Sequence, residues 1–383
     1  MFKRVPLAWL LLTHEKLRLL AAVAGIVFAV VLMLVQLGFR EALFTASSLV
    51  QDSLRADLVL TSRQYDYLVF SKYFTRRRVY QALAFDGVES AWPVYLGFAQ
   101  WKNPEDLRER SIFVIGYDPA ASALTVPGIE NPHSLSLPDV ALFDSLSRLE
   151  FGPVARSLRD GKVVETEVNG RRIKVIGLFQ MGGSFGVNGT LVTSDLNFLR
   201  LFPSHSQGLV ELGLIRLKPG ADAGRVREQL EKGLPPDVRV LTRDDFSERE
   251  KEYWATHTGI GFMFTLGMFM GFVVGAVIVY QILYTDVSDH LAEYATLKAV
   301  GYGNRYVFSV VLQEALILSV SGFLPGLGIA KLLYVLTQKA TLMPMNMTTG
   351  RIGFVFLMTV LMCSISGMLA MRKVRQADPA EIF

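Results

Sequence analysis

The chain has 383 residues, 51% hydrophobic and 19% charged, with 39 Lys and Arg against 35 Asp and Glu. That balance excludes a disordered chain and an ordinary soluble domain. The single cysteine, Cys363, excludes a disulfide scaffold, and a net charge of +4 gives no sign of nucleic-acid binding.

In chain order, residues 1–18 mix Val5, Leu7, Leu10, Leu11 and Leu17 with His14, Glu15, Lys16 and Arg18. They read either as an amphipathic helix lying in the membrane interface or as a cytoplasmic extension of the first span. Residues 19–41 are the first of four apolar stretches long enough to cross a ~30 Å hydrocarbon core. This run is too long for the apolar part of a cleaved signal peptide.

Residues 42–245 have normal mixed composition and read as a large α+β domain. Strands are expected near Asp57–Leu60, Trp92–Gln100, Ser111–Gly116, Leu209–Leu217 and Val238–Leu241, and helices near Arg76–Leu83 and Arg225–Glu231. Val163–Val168 and Arg171–Leu178 flank Asn169-Gly170, the best hairpin signal in the chain.

Residues 246–284 are expected to form one continuous helix of about 60 Å at 1.5 Å per residue. It would comprise a polar stalk and the second span, unless Gly259 and Gly261 break it. Residues 285–306 form a short loop containing a helix, 307–336 the third span, 337–351 a short loop, 352–371 the fourth span and 372–383 a tail. Lys3, Arg4, Lys16 and Arg18 precede the first span, and Arg372, Lys373 and Arg375 follow the fourth. Positive residues favour the inside, so both termini are expected in the cytoplasm and the large domain outside. The fold class is thus an α-helical membrane protein with four spans and a large α+β extracytoplasmic domain between the first and second.

Four features could carry function. Gly267, Gly271 and Gly275 make a repeated small-xxx-small pattern in the second span, suited to close helix packing on the first span or across a dimer. Glu314 is an acid inside the third span, either functional or paired with backbone or a cation such as Arg305. Ser288–Val300 can form an amphipathic helix, with Leu291, Tyr294 and Leu297 as its apolar stripe. Asp289 near its start and Lys298 near its end complement the helix dipole, and Gly301 stops it. On the inner face, such a helix needs something to dock against, or else it rests on lipid. Finally, Gly182-Gly183-Ser184-Phe185-Gly186 has the spacing of a hydrolase nucleophile elbow. That device needs a helix after it, and Val187-Asn188-Gly189-Thr190 reads as loop or strand. The five histidines show no metal-ligand spacing. No Gly-x-x-x-x-Gly-Lys-Ser/Thr phosphate loop is present, so the chain is not expected to hydrolyse ATP by that route.

Glu293-Tyr-Ala-Thr-Leu-Lys-Ala-Val-Gly-Tyr302 resembles the coupling-helix motif of the MacB/FtsX/LolCE permease superfamily, and Asp378-Pro379-Ala380-Glu381 resembles its closing motif. The DevC-type branch is resembled by Pro6-Leu7-Ala8-Trp9, Thr13–Arg18, Leu37-Gly38-Phe39-Arg40, Arg76–Leu83, Trp101-Lys102-Asn103-Pro104 and Tyr280–Tyr284. The resemblance covers almost the whole chain. It implies a non-enzymatic permease in the bacterial inner membrane, paired with a second copy of itself. Two copies of a separate DevA-like ATPase would bind ATP and Mg, so the chain itself needs no cofactor. A periplasmic DevB-like adaptor and a TolC-type outer-membrane channel are the further partners implied. The cargo implied is a lipid or glycolipid-like molecule, expelled by mechanotransmission rather than through a pore. Leu291, Glu293, Tyr294, Leu297, Lys298 and Gly301 become the ATPase-docking residues. The Gly182–Gly189 loop is a candidate for contact with adaptor or cargo. LolCE-like lipoprotein release and FtsX-like signalling are the alternatives within the same superfamily.

Overall fold

The structure is a computed structural model that describes residues 16–183, 186–290, 293, 296, 300, 302–341 and 345–376. It divides into two compact units: residues 1–42, 259–341 and 345–383, and residues 43–258 with 342–344. The first unit holds four helices long and apolar enough to cross a membrane.

In chain order the helices and strands are α1 (Lys16–Ser47), α2 (Leu49–Ser53), β1 (Leu58–Ser62), β2 (Phe74–Thr75), α3 (Arg77–Gln81), β3 (Val88–Lys102) and β4 (Glu109–Tyr117). Next come β5 (Val140–Asp144), α4 (Val154–Arg159), β6 (Val164–Val168), β7 (Arg171–Phe179), β8 (Thr190–Ser194), α5 (Asp195–Leu201), β9 (Leu209–Val210) and β10 (Leu212–Leu217). The chain then forms α6 (Ala223–Gly233), β11 (Val238–Thr242), α7 (Arg243–Thr256), α8 (Gly259–Asp289), α9 (Asn304–Thr341) and α10 (Thr349–Gln376).

In the membrane-type unit, α1 buries Ala22, Ile26, Ala29 and Met33 at helical spacing. Small residues let its neighbours approach. A Cβ at Gly322 or Gly326 of α9 would meet Ile26 or Val30, and one at Gly38 of α1 would collide with the Tyr334 hydroxyl. That hydroxyl donates to the Leu34 carbonyl of α1 at 2.5 Å. It also accepts from Arg351 of α10 at 3.2 Å. Pro325 lies inside α9, which continues through it. α8 exposes Phe262, Met263, Phe269 and Val277, an apolar surface suited to lipid.

The other unit is built on a nine-stranded sheet in the order β11-β1-β10-β3-β4-β8-β5-β7-β6. β6 also returns to β3 through Trp101 opposite Val168, so the strands from β3 round to β6 close into a ring. The long β3 serves both halves: Val88–Val94 pairs with β10 and Val94–Lys102 with β4. Its side chains alternate, Tyr95, Ala99 and Trp101 facing one core and Val94 and Leu96 the other. Asn169 and Gly170 both have positive φ, 49° and 73°, which is the type I′ turn that joins β6 to β7. Helix starts are capped by side chains: Ser194 accepts from Asn197 N–H, Asp222 from Gly224 N–H and Thr242 from Asp245 N–H.

Two expectations need correction. The helix over 246–284 is not continuous, because it is interrupted at His257 and Thr258, with Gly259 opening the next helix. Its first part is no free stalk either. α7 buries Phe246, Ser247 and Glu250 within the α+β unit, whose boundary falls after Thr258 rather than at 245. The expected strand over Leu209–Leu217 is split into β9 and β10 at Glu211, whose buried carboxylate accepts the Leu96 N–H at 3.0 Å.

Candidate functional site

The connector between α8 and α9 carries the strongest sequence signal, and its base is well defined. α8 ends in Asp286, Val287, Ser288 and Asp289, which place two acids and His290 within one turn or so of each other. Arg18, at the start of α1, reaches Asp289 at 2.7 Å and Asp286 at 4.0 Å. His290 Nδ1 lies 3.6 Å from the Asp286 carboxylate and 3.0 Å from the Asp286 carbonyl oxygen. Asp286 and His290 are buried, whereas the Asp289 side chain is half exposed. The beginning of α1 and the end of α8 are therefore tied together where the connector starts. Sequence reasoning missed this cluster. The signal was available in acids three residues apart at the end of one span and an arginine at the start of another.

Beyond this base, Glu293 is helical and exposed, Thr296 is helical, and the Val300 N–H donates to the Thr296 carbonyl at 3.0 Å. Leu291, Tyr294, Leu297, Lys298 and Gly301 lie outside the described residues, as do Ser184 and the closing Asp378–Glu381. Tyr302 and Tyr306 pack ring on ring at 4.6 Å as α9 begins.

Gly267, Gly271 and Gly275 lie against neighbouring helices of the same chain. A Cβ on Gly267 would meet Gln36 of α1, one on Gly271 would meet Leu32, and one on Gly275 would meet Ala29 of α1 and Met362 of α10. Glu314 is fully buried in α9, beside Ala315 and Val311 in the core of this unit.

In the α+β unit the Gly182–Gly189 loop is held at its base. The buried Asp144 carboxylate accepts from the Met181, Gly182 and Leu146 N–H groups at 2.9–3.1 Å. Burial still pushes the Asp144 carboxyl above its ordinary value, against the effect of those donors. The loop leads into the strand β8, not into a helix, so the strand–turn–helix context of a nucleophile elbow is missing. The Trp101–Pro104 segment serves packing. Trp101 donates through Nε1 to the Phe151 carbonyl and Asn103 through Nδ2 to the Glu150 carbonyl, fastening the 148–152 turn.

A second buried carboxylate, also missed from sequence, is Glu250 of α7. It accepts from Tyr65 Oη at 2.9 Å, from the Leu68 N–H at 2.9 Å and from Trp254 Nε1 at 3.0 Å. Burial raises its carboxyl above the usual range, and the donors only partly offset this. Three residues earlier on α7, Ser247 donates to Asp52 of α2 at 2.7 Å.

Residues 265–379, less than a third of the chain, match the model of the family described as FtsX-like permease C-terminal. No curated protein matches the chain. Among solved structures, the chain is similar to the periplasmic region of MacB from Actinobacillus actinomycetemcomitans. That likeness has 10% identity and a TM-score of 0.36, over 52% of this chain and 94% of that one. It is also similar to the extracellular domain of the noncanonic ABC-type transporter YknZ from Gram-positive bacteria. There the identity is 12% and the TM-score 0.35, over 48% of this chain and 99% of that one.

Proposed function

We propose that this chain is the permease subunit of an ABC-type exporter, and that a separate ATPase docks on the 288–300 connector. The observation that carries the reading is the FtsX-like permease match over residues 265–379, which spans that connector and most of the three apolar helices around it. The absence of a phosphate loop from the sequence supports placing ATP hydrolysis in a partner.

In this reading Leu291, Tyr294 and Leu297 seat against the ATPase, while Glu293 and Lys298 set the register by charge. Closure of two ATPases on ATP displaces the connector. Because Arg18 bridges Asp286 and Asp289, the push acts on α1 as well as on α8. The α+β domain responds and expels a lipid or glycolipid-like cargo toward a periplasmic adaptor and a TolC-type channel. The working unit contains two copies of the chain in the inner membrane, with both termini in the cytoplasm.

The test is purification of the tagged chain from its native membrane in mild detergent, followed by identification of its companions. Recovery of an ATPase with an adaptor and an outer-membrane channel is the expected result. An ATPase without an adaptor points to lipoprotein release or signalling instead. Recovery of the intact chain with no ATPase, under conditions that preserve a known ABC complex, overturns the proposal.

A further inference from the structure

Five aromatic rings gather at the C-terminal end of α7. Tyr67 stacks on Tyr253 at 4.1 Å and meets Phe70 at 5.3 Å and Trp254 at 5.6 Å. Tyr253 in turn stacks on His257 at 5.2 Å. The rings come from two segments, the 67–70 loop and the end of α7, and Glu250 joins those segments. Its one carboxylate holds Trp254 from α7, the Leu68 N–H from the loop and the Tyr65 hydroxyl just before it. The group is therefore a built platform rather than a chance meeting of side chains. Phe70 is nevertheless 62% exposed, on a loop whose backbone is tied down on both sides of Tyr67. Phe70 is thus held out from the edge of a group of rings rather than standing alone on the surface.

We propose that these rings form an interfacial collar that sits in the lipid headgroup layer on the side of the membrane carrying the α+β domain. Chain length places them there. Trp254 precedes Gly259, the first residue of the apolar helix α8, by five residues, so it lies within about 18 Å of it even when fully extended. Phe262 and Met263, exposed and apolar, follow almost at once. The platform has a second tether, since Ser247 of α7 bonds Asp52 of α2, and α2 directly follows α1, another apolar helix. The chemistry fits the same layer. Tyr67, Tyr253 and Trp254 are of the ring types that collect where hydrocarbon meets water, and Phe70 supplies a purely apolar tip. Leu107 and Leu137, also exposed in this unit, are aliphatic residues of other loops. The occupant is the lipid surface, not a protein groove partner. The collar does not depend on what the chain transports.

The full chain can be tested in lipid nanodiscs of phosphatidylethanolamine and phosphatidylglycerol. A nitroxide is placed at Phe70→Cys in a Cys363→Ala background, with Leu137→Cys as the aqueous control. The expected result is a ratio of oxygen to water-soluble nickel-chelate collisions severalfold higher at position 70 than at 137, with strong relaxation by nickel-chelating headgroups. Equal, fully aqueous collision rates at both positions overturn the proposal. So does protection of position 70 from both oxygen and nickel, which would mean that protein covers it. If Phe70→Cys does not fold, Lys72→Cys on the same exposed stretch gives the same comparison.

Discussion

His205 illustrates how much one side chain can state about pH. Its Nε2 lies 2.8 Å from the Glu211 carboxylate and its Nδ1 lies 3.0 Å from the Ser206 carbonyl. Both partners are acceptors, so only the doubly protonated imidazolium satisfies both contacts at once. The Glu211 hydrogen bond accordingly raises the His205 pKa above its ordinary value, against desolvation. The rings of Tyr73, Tyr95 and Phe198 surround the imidazole, and Arg76 reaches the Tyr95 hydroxyl at 3.3 Å, so Glu211 is the acid that faces it. A group whose folded pKa is raised stabilises fully below its unfolded value of ~6.5, and the benefit is lost as pH rises through the folded value. The melting temperature of the α+β unit, followed in the detergent-solubilised chain, should therefore fall as the pH rises above the ordinary histidine value of about 6.5. In Glu211→Gln that slope should flatten, because no carboxylate remains to favour the cation. Identical slopes in the two proteins would remove His205 as the titrating group. Neither residue stood out in the sequence. They lie six apart across a turn, and the Leu96 N–H on β3 holds the other carboxylate oxygen of Glu211 inward.

At the scale of elements, local signals were legible and non-local ones were not. Asn169-Gly170 announced its hairpin because positive φ at two successive residues selects those residue types. β5 and β8 gave no signal. Each is buried at every position, so neither shows alternation. Their parallel pairings, β5 with β7 and β8 with β4, join segments far apart in sequence. The stalk was misread for a related reason. α7 is polar enough to pass for a solvated helix, yet Phe246, Ser247 and Glu250 face inward, with partners such as Tyr65 and Asp52 nearly two hundred residues earlier. The 169–170 turn also does more than reverse the chain. Asn169 accepts the Gln100 N–H at 2.8 Å, donates its own N–H to the Gln100 carbonyl and reaches the Leu201 carbonyl through Nδ2 at 3.0 Å. It thereby clamps β6 and β7 onto β3 where the ring closes. Asn169→Gly keeps the turn conformation but forfeits the two side-chain bonds, a loss of about 1–3 kcal/mol at roughly 0.5–1.5 each. Gly170→Ala, with open space around its Cβ, carries only the backbone penalty of about 1–2 kcal/mol. Hydrogen exchange separates the two. The Gln100 amide should lose protection selectively in Asn169→Gly, and equal loss in both variants would show that the clamp is unimportant.

For the molecule as a whole, the four apolar helices and the α+β domain between the first and second follow from composition alone. What composition cannot supply is the link between them and a source of energy. In the function proposed above that link falls on the 288–300 connector, whose base is anchored and whose helical Glu293 is exposed. An exposed Asp289–Arg18 pair adds little stability by itself, about 0–1 kcal/mol, so its value lies in direction rather than strength. In the proposed mechanism it couples α1 to α8. If an ATPase covers Leu297, burying that side chain is worth about 1.5–3 kcal/mol. Leu297→Asp forfeits this and leaves a desolvated carboxylate at the contact. Recovery of the ATPase with the tagged chain should then fall about tenfold or more, while the melting temperature of the spans stays unchanged. Arg18→Gln should behave in the opposite way. The ATPase should be retained, because the connector is intact, but its turnover should respond less to the presence of the permease. A Leu297→Asp chain that keeps its ATPase at full yield and full coupled turnover would move the docking surface elsewhere. An Arg18→Gln chain with unaltered turnover would mean that α8 alone carries the push.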